Sequence, residues 1–328
     1  MEKCNPFLFS FSIPLTDLEF CGIMVKNQQI TEWYMENVKT IFFKITFNSF
    51  RDVSQSTKNE VLDREDWEEC ECALCLPANY SDEGDETPLI LCCHGAGGVV
   101  REETNQVGGI AYAGDCLKQG YAVLDVCGSK PHGITMGCPE HIFALHKAYL
   151  YAIRHYNLSH RVLVAGASMG GQTALNFAHT FPGIVLALGL IYPRLNIEGV
   201  TVDGHYCIGT WDKKANISSV NASAHDLIVQ NFRFPNDEWN EDNTAGFNSY
   251  KIRSFIGADG KRVVIPPCPI KLWQGMADTV VDPVMAEEFV ASVRRSGSYI
   301  EFHQMEGVGH CINDVMQAEL AMWFNRFI

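Results

Sequence analysis

Several things are scarce or missing in this chain of 328 residues. No apolar run reaches the roughly 20 residues that a helix needs to cross a bilayer, so no membrane span is expected. Positive charge is in short supply: 25 Lys and Arg stand against 39 Asp and Glu, a net charge of −14. The acidic residues gather in "DREDWEECE" and "SDEGDE", which read as solvated surface. Nucleic-acid backbones and anionic membranes would be repelled, and small or neutral partners are expected instead. No glycine-rich loop followed by Lys-Ser/Thr opens a helix, so nucleotide chemistry is not indicated. Low-complexity tracts and solenoid or propeller repeats are also missing, which leaves an ordinary globular chain of one large domain carrying extensions.

A disulfide framework is not expected either. The 13 cysteines are odd in number and scattered, several inside apolar strands such as "LILCCHG", which suits reduced thiols. In "CECALC", Cys70 and Cys72 share one face of a strand while Cys75 points to the other, so the cluster is read as packing and not as a metal site. His132, His141, His146 and His155 have no zinc-ligand spacing and are read as surface or packing residues. At the N-terminus "NPFLFSFSIPL" has the length of a signal h-region. It has Glu2 and a single Lys3 before it, however, and no small-residue cleavage site after it. "LEFCG" puts Cys21 where a lipoprotein signal would, but behind bulky residues. Cytoplasmic location is expected ahead of secretion or lipid attachment.

What the chain does contain is an alternation of buried strands and helices. "PLILCCHG", "YAVLDV", "RVLVAG", "IVLALGLIY" and "IKLWQG" are nearly all apolar. Between and after them lie helical segments such as "GIAYAGDCLKQG", one opening at Pro139 with Ile142, Leu145, Tyr149, Ala152 and Tyr156 at helical spacing, "PVMAEEFVASVRR" and "DVMQAELAMWFNRF". This pattern predicts an α/β fold with a mainly parallel sheet covered on both faces. Residues 1–85 carry alternating strands, "IFFKITF" and "CECALCLP", expected to add antiparallel strands at one sheet edge. Residues 86–328 form the expected catalytic domain. Within it the segment from about 194 to 267 loses the alternation and is read as a cap insertion over the site.

The segment "RVLVAGASMGGQTALNFAHTF" passes from a buried strand through Gly166-Ala167-Ser168-Met169-Gly170 into a helix. That is the strand-turn-helix context of a nucleophile elbow, in which a tight turn lifts the serine hydroxyl clear of the sheet. A serine needs a base, and the base needs a carboxylate to orient it. Asp278 in "GMADTVVDP" and His310 in "GVGH", each after a strand, supply them in the chain order Ser, Asp, His. Asp282 competes for the acid role, but Pro283 behind it suggests a helix cap.

Those motifs resemble the α/β-hydrolase superfamily over residues 86–328. "HGAGG" matches its oxyanion loop, "GASMGG" its elbow, "GMADTVVDP" its acid turn and "GVGH" its histidine loop. Within the superfamily the chain is most similar to prolyl-oligopeptidase-like and esterase-like members. The resemblance implies Ser168 as nucleophile, His310 as base and Asp278 as orienting acid. It further implies backbone N–H groups of Met169 and Ala96 or Gly97 as the oxyanion hole, with no metal or organic cofactor. His94, which begins the oxyanion loop, is a candidate substrate contact or a structural hydrogen-bonding histidine. The expected function is a serine esterase acting on a small-molecule or glycan ester, a carboxylesterase or carbohydrate esterase. About 85 N-terminal residues cannot supply the propeller of a prolyl oligopeptidase. Two alternatives remain: a peptidase, with Glu198, Asp203 or Asp212 holding an amino terminus, and a non-catalytic binding protein on a hydrolase scaffold. Trp211, in an insertion that also contains Phe232, Phe234, Trp239, Phe247 and Tyr250, is the candidate sugar-stacking residue, the alternative being that these aromatics form the insertion's own small core.

Overall fold

The apolar segments become the strands of one eight-stranded sheet in a computed structural model. It describes residues 38–48, 67–96, 98–127, 135–197, 200–202, 205–207, 216–217, 222–223, 232 and 248–328. The strands are β1 (Lys39–Asn48), β2 (Trp67–Leu76), β3 (Thr87–Cys93), β4 (Ala122–Val126), β5 (Leu158–Ala167), β6 (Val185–Ile191), β7 (Ile270–Gly275) and β8 (Ile300–Met305). Their spatial order is β1-β2-β4-β3-β5-β6-β7-β8. β1 runs antiparallel to β2, and β2 antiparallel to β4. From β4 to β8 every pairing is parallel.

Alternation along each strand sends successive side chains to opposite faces. Leu89, Leu91 and Cys93 of β3 join one buried cluster, with Leu145 and Ala148 of α2 (Pro139–His155), Leu175 and Phe177 of α3 (Met169–Thr180), and Phe289 of α4 (Pro283–Arg295). Ile90 and Cys92 join the other, with Tyr112 and Leu117 of α1 (Ile110–Lys118) and Leu320 and Phe324 of α5 (Asp314–Phe324). A sheet buried on both faces needs apolar residues at nearly every position. Cys70 and Cys72 fall in the first cluster and Cys75 in the second.

The helices start and stop where local chemistry dictates. Pro139 opens α2 after an extended Cys138, and Pro283 opens α4 behind Asp282, whose carboxylate accepts from the Val284 N–H at 3.0 Å, since proline's missing N–H costs nothing in a first turn. Asn313 caps α5 by accepting from Met316 N–H at 2.9 Å. The chain leaves α1 through Gly120 at φ +94, a backbone that side chains rarely adopt. Between β6 and β7 the described residues include three short antiparallel ladders, the last of which (Ser254–Ile256 with Arg262–Val264) is tied to α4 by Arg295 donating to the Arg262 carbonyl at 2.8 Å.

The cysteines of the buried strands, including Cys72, Cys75, Cys92 and Cys93, are free thiols. Cys311, in the loop after β8, is disulfide-bonded, which corrects the reading of the thiols as uniformly reduced. Among the described residues no helix is long and apolar enough to cross a membrane.

At the β7–β8 edge, one carboxylate oxygen of Glu319 is held by Trp273 Nε1 at 2.7 Å, Lys271 Nζ at 2.8 Å and His303 Nδ1 at 2.9 Å. Burial pushes this carboxyl up, but the three donors outweigh it and hold it down at about 2. A depressed carboxylate contributes stability above its unfolded pKa and loses it as pH falls toward the folded value. Urea unfolding should therefore show wild-type stability declining between about pH 4.5 and pH 2. Glu319→Gln should be less stable at neutral pH and show a shallower decline across that window.

Candidate active site

Ser168 lies between β5 and α3 with φ 53 and ψ −121. A left-handed φ at a serine is uncommon, and it is tolerated here because neighbours fix the backbone on both sides. The Ser168 N–H donates to the Ile191 carbonyl at 3.0 Å. Its own carbonyl accepts from Arg194 N–H at 2.8 Å and Gly171 N–H at 2.9 Å. The turn is tight enough that glycine is required around it. A Cβ on Gly166 would lie 2.3 Å from the Gly170 carbonyl oxygen. One on Gly170 would lie 1.8 Å from that of Cys93. The first turn of α3 therefore abuts the end of β3, where "HGAGG" begins.

The imidazole comes from the loop after β8. His310 Nε2 lies 2.9 Å from Ser168 Oγ, and Nδ1 lies 2.7 Å from Asp278 Oδ2. With Nδ1–H donating to the carboxylate, Nε2 presents its lone pair to the serine hydroxyl. Asp278 is buried and its remaining capacity is filled: Oδ1 accepts from Val280 N–H at 2.8 Å and Val281 N–H at 2.9 Å, and Oδ2 accepts from Gln274 Nε2 at 3.2 Å. The acid turn and the histidine loop are joined directly. Met276 N–H donates to the Met305 carbonyl and Ala277 N–H to that of Val308, while the Cβ that Gly275 lacks would meet the Val308 carbonyl oxygen at 2.4 Å.

Ser168, Asp278 and His310, far apart in sequence, are thus brought into one hydrogen-bonded chain. Asp282 is not part of it, because it caps α4. Ala96 is buried in the loop after β3, and Met169 is the first residue of α3, where N–H groups have no intrahelical acceptor. Gly97 lies outside the described residues.

His94 is placed differently from a substrate contact. Its ring is buried under Gly98, whose absent Cβ would lie 2.8 Å from the His94 Cβ, and Nδ1 is 2.9 Å from Asp125 Oδ1. The other Asp125 oxygen accepts from Gly109 N–H at 2.7 Å. This buried pair anchors the loop, the structural alternative for this histidine. His141 is also internal, held by Thr135 Oγ1 at 2.6 Å and the Val126 carbonyl at 3.3 Å. Burial, with His94 nearby, lowers its pKa to about 3. His146 stacks on Phe181 at 4.0 Å, His155 bonds the Tyr151 carbonyl at 2.8 Å, and His132 lies outside the described residues. Among the described residues no group of three His, Cys, Asp or Glu is arranged to hold a metal.

Of the aromatic residues between about 194 and 267, read as a sugar-stacking wall or as a small core of their own, Tyr250 is part of the core. Its hydroxyl lies 3.1 Å from Ser292 Oγ and its ring 6.1 Å from that of Phe289. Phe232 is buried as well. Trp211, Phe234, Trp239 and Phe247, together with Glu198, Asp203 and Asp212, lie outside the described residues.

Three features escaped the sequence reading. Asp125 was visible as a lone charge inside the apolar "YAVLDV", and a buried carboxylate demands a partner. The buried Gln172, Asn248 and Ser249, with Ser249 Oγ 2.6 Å from Gln172 Oε1, join the segment before β7 to α3. The third is the bend Tyr192-Pro193-Arg194 behind the serine, which has no sequence signature beyond a proline after a strand.

No protein-family profile matches the chain, and no curated protein sequence matches it. Solved structures do. An acylaminoacyl peptidase of Pyrococcus horikoshii superposes with TM-score 0.58 at 14% identity, covering 96% of this chain and 44% of that one. A puromycin-hydrolyzing peptidase of Mycobacterium tuberculosis gives 0.57 at 15%, covering 79% and 36%. A lipase/esterase of Lactobacillus plantarum gives 0.54 at 16%, covering 87% and 98%. The chain therefore spans less than half the length of these peptidases and nearly all of the lipase/esterase. Together with the sheet order, these likenesses establish an α/β-hydrolase fold.

Gly170→Ala tests the packing that positions the site. Alanine is the better helix former by about 1 kcal/mol, yet here it must displace the Cys93 carbonyl, so the variant should lose at least about 1–3 kcal/mol in chemical denaturation. Gly183→Ala, at a position with open space around it, should be nearly neutral.

Proposed function

We propose that the protein is a serine hydrolase that cleaves an acyl ester through an acyl-enzyme. The observation that carries this reading is the continuous hydrogen-bonded chain from Ser168 Oγ through His310 to Asp278, built on a strained strand-to-helix turn. A helix cap would not require a serine whose hydroxyl lies 2.9 Å from an imidazole that is itself oriented by a buried carboxylate.

In the proposed reaction His310 Nε2 takes the hydroxyl proton as Ser168 Oγ attacks the acyl carbon. Asp278 holds the imidazole in the required tautomer and stabilises the imidazolium. The developing oxyanion is received by the N–H group of Met169, a donor at a helix N-terminus, and by that of Ala96 or Gly97. The imidazolium then protonates the departing alcohol, and water, activated by the same histidine, releases the acid. His94 and Asp125 support the loop.

An ester is the substrate class proposed first, and the likeness to a lipase/esterase supports it. The peptidase reading stays as the second, since the likenesses to peptidases reach the higher TM-scores. An acylated sugar is one ester class to test. Rates on short p-nitrophenyl esters, acetylated sugars and proline-containing peptide amides separate the readings: ester turnover with little amide cleavage is expected, and the reverse order would make the protein a peptidase.

Ser168→Ala should fold normally and lower kcat by about a million-fold, the scale seen on removing such a nucleophile. A fluorophosphonate should label the wild type at Ser168 and leave this variant unlabelled. Asp278→Asn should reduce kcat by about ten-thousand-fold. By contrast, Asp282→Asn should leave kcat near wild type and change stability by no more than about 1 kcal/mol. A reversed ranking of the two aspartates would reject the assignment of the acid.

A further inference from the structure

Tyr192, the residue after β6, has φ 33. For a bulky non-glycine residue that is a true outlier, and such backbones persist where the surroundings over-determine them. Here the surroundings are the three parts of the candidate site. The Tyr192 N–H donates to the Trp273 carbonyl at 2.7 Å, on the strand that leads to Asp278. The flanking Ile191 carbonyl and Arg194 N–H bind the Ser168 backbone at 3.0 and 2.8 Å. Pro193 fills the space against Gly171, where an added Cβ would lie 2.2 Å from the proline's own. The Tyr192 ring lies with its centroid 4.3 Å from that of His310, at 52°.

The hydroxyl cannot explain this arrangement. It is fully buried with no hydrogen-bond partner among the described residues. Burial, reinforced by the nearby Asp278 charge, pushes the phenol well above its usual range, so it keeps its proton throughout neutral pH. What remains is the ring face.

We propose that Tyr192 is a positioning residue, its ring forming the wall that holds the His310 imidazole in line between Asp278 and Ser168. The proposal rests on the hydrolase reading above and adds a residue to it. Hydrogen bonds at Nδ1 and Nε2 define an axis through the imidazole, and rotation about that axis depends on what packs against the ring. A flat side chain packed against the imidazole, its plane tilted 52° from it, limits that motion. Misplacement of a reacting group by about 1 Å can cost about a hundredfold in rate.

The test uses the full chain with Tyr192→Phe, Tyr192→Leu and Tyr192→Met on a short p-nitrophenyl ester, each rate normalised to competent enzyme by fluorophosphonate titration. Phenylalanine keeps the ring and removes the unpaired hydroxyl. Its kcat should stay within about twofold of wild type and its melting temperature should rise. Leucine and methionine keep bulk without a flat face, and should lower kcat by about ten- to a hundredfold while KM changes by less than about twofold. Methionine, the more adaptable filler, carries the measurement if the leucine variant does not fold. Wild-type kcat in the folded methionine or leucine variant would overturn the proposal while leaving the hydrolase reading intact, as would a loss in Tyr192→Phe equal to theirs. A wild type that fluorophosphonate does not label at Ser168 would overturn both.

Discussion

The close approach of the first turn of α3 to the end of β3 is the constraint on which the candidate site depends. Only a residue without a side chain lets the Gly170 backbone lie against the Cys93 carbonyl. That contact brings the N-terminal N–H groups of α3 beside the loop that starts at His94. The same closeness forces the chain through a left-handed turn at Ser168, at a cost of about 1–3 kcal/mol. The strain is held in place by backbone hydrogen bonds, Ser168 N–H donating to the Ile191 carbonyl and Arg194 N–H to the Ser168 carbonyl, so the hydroxyl is presented toward His310 in a fixed direction.

Two carboxylates buried around this contact, Asp278 and Asp125, are each held by several donors, as a low-dielectric interior requires. Asp278 accepts from two backbone N–H groups, an amide and an imidazole. Asp125 accepts from His94 and Gly109 and so pins the loop over the sheet. Ser249 has one hydroxyl proton and two buried partners, Gln172 and the Leu195 carbonyl. It can satisfy both by donating to the carbonyl and accepting from the amide in its flipped orientation. The Asp278 and Ser249 sets tie their segments to β7 and α3, next to members of the hydrogen-bonded chain, and the Asp125 set ties the loop after β3 to the neighbouring strand β4.

Much of this was legible in the sequence because it arises from local rules. Strands buried on both faces must be nearly all apolar, and helix starts are marked by Pro139, by Asp282 with Pro283 and by Asn313. A serine at a Gly-x-Ser-x-Gly corner makes a search for a later Asp and His meaningful. What was not legible depends on contacts between distant segments. That His94 turns inward to Asp125 follows from β3 and β4 being neighbours in space, which no local pattern encodes. That Tyr250 belongs to the core follows from Ser292 and Phe289 of α4 packing on it, a contact between segments about 40 residues apart. Tyr192 was invisible for the same reason, since its role depends on an imidazole that arrives from more than a hundred residues further along the chain.

The most direct test of the central claim is to find where an acyl group goes during turnover. The protein is mixed with p-nitrophenyl acetate and quenched in acid within the first turnovers, and its peptides are mapped by mass spectrometry. One acetyl group on the Ser168 side chain, lost again on standing at neutral pH and missing from His310→Ala, is the predicted result. An acetyl group on another residue, or product formation with Ser168 unmodified at every quench time and no burst, would contradict the account.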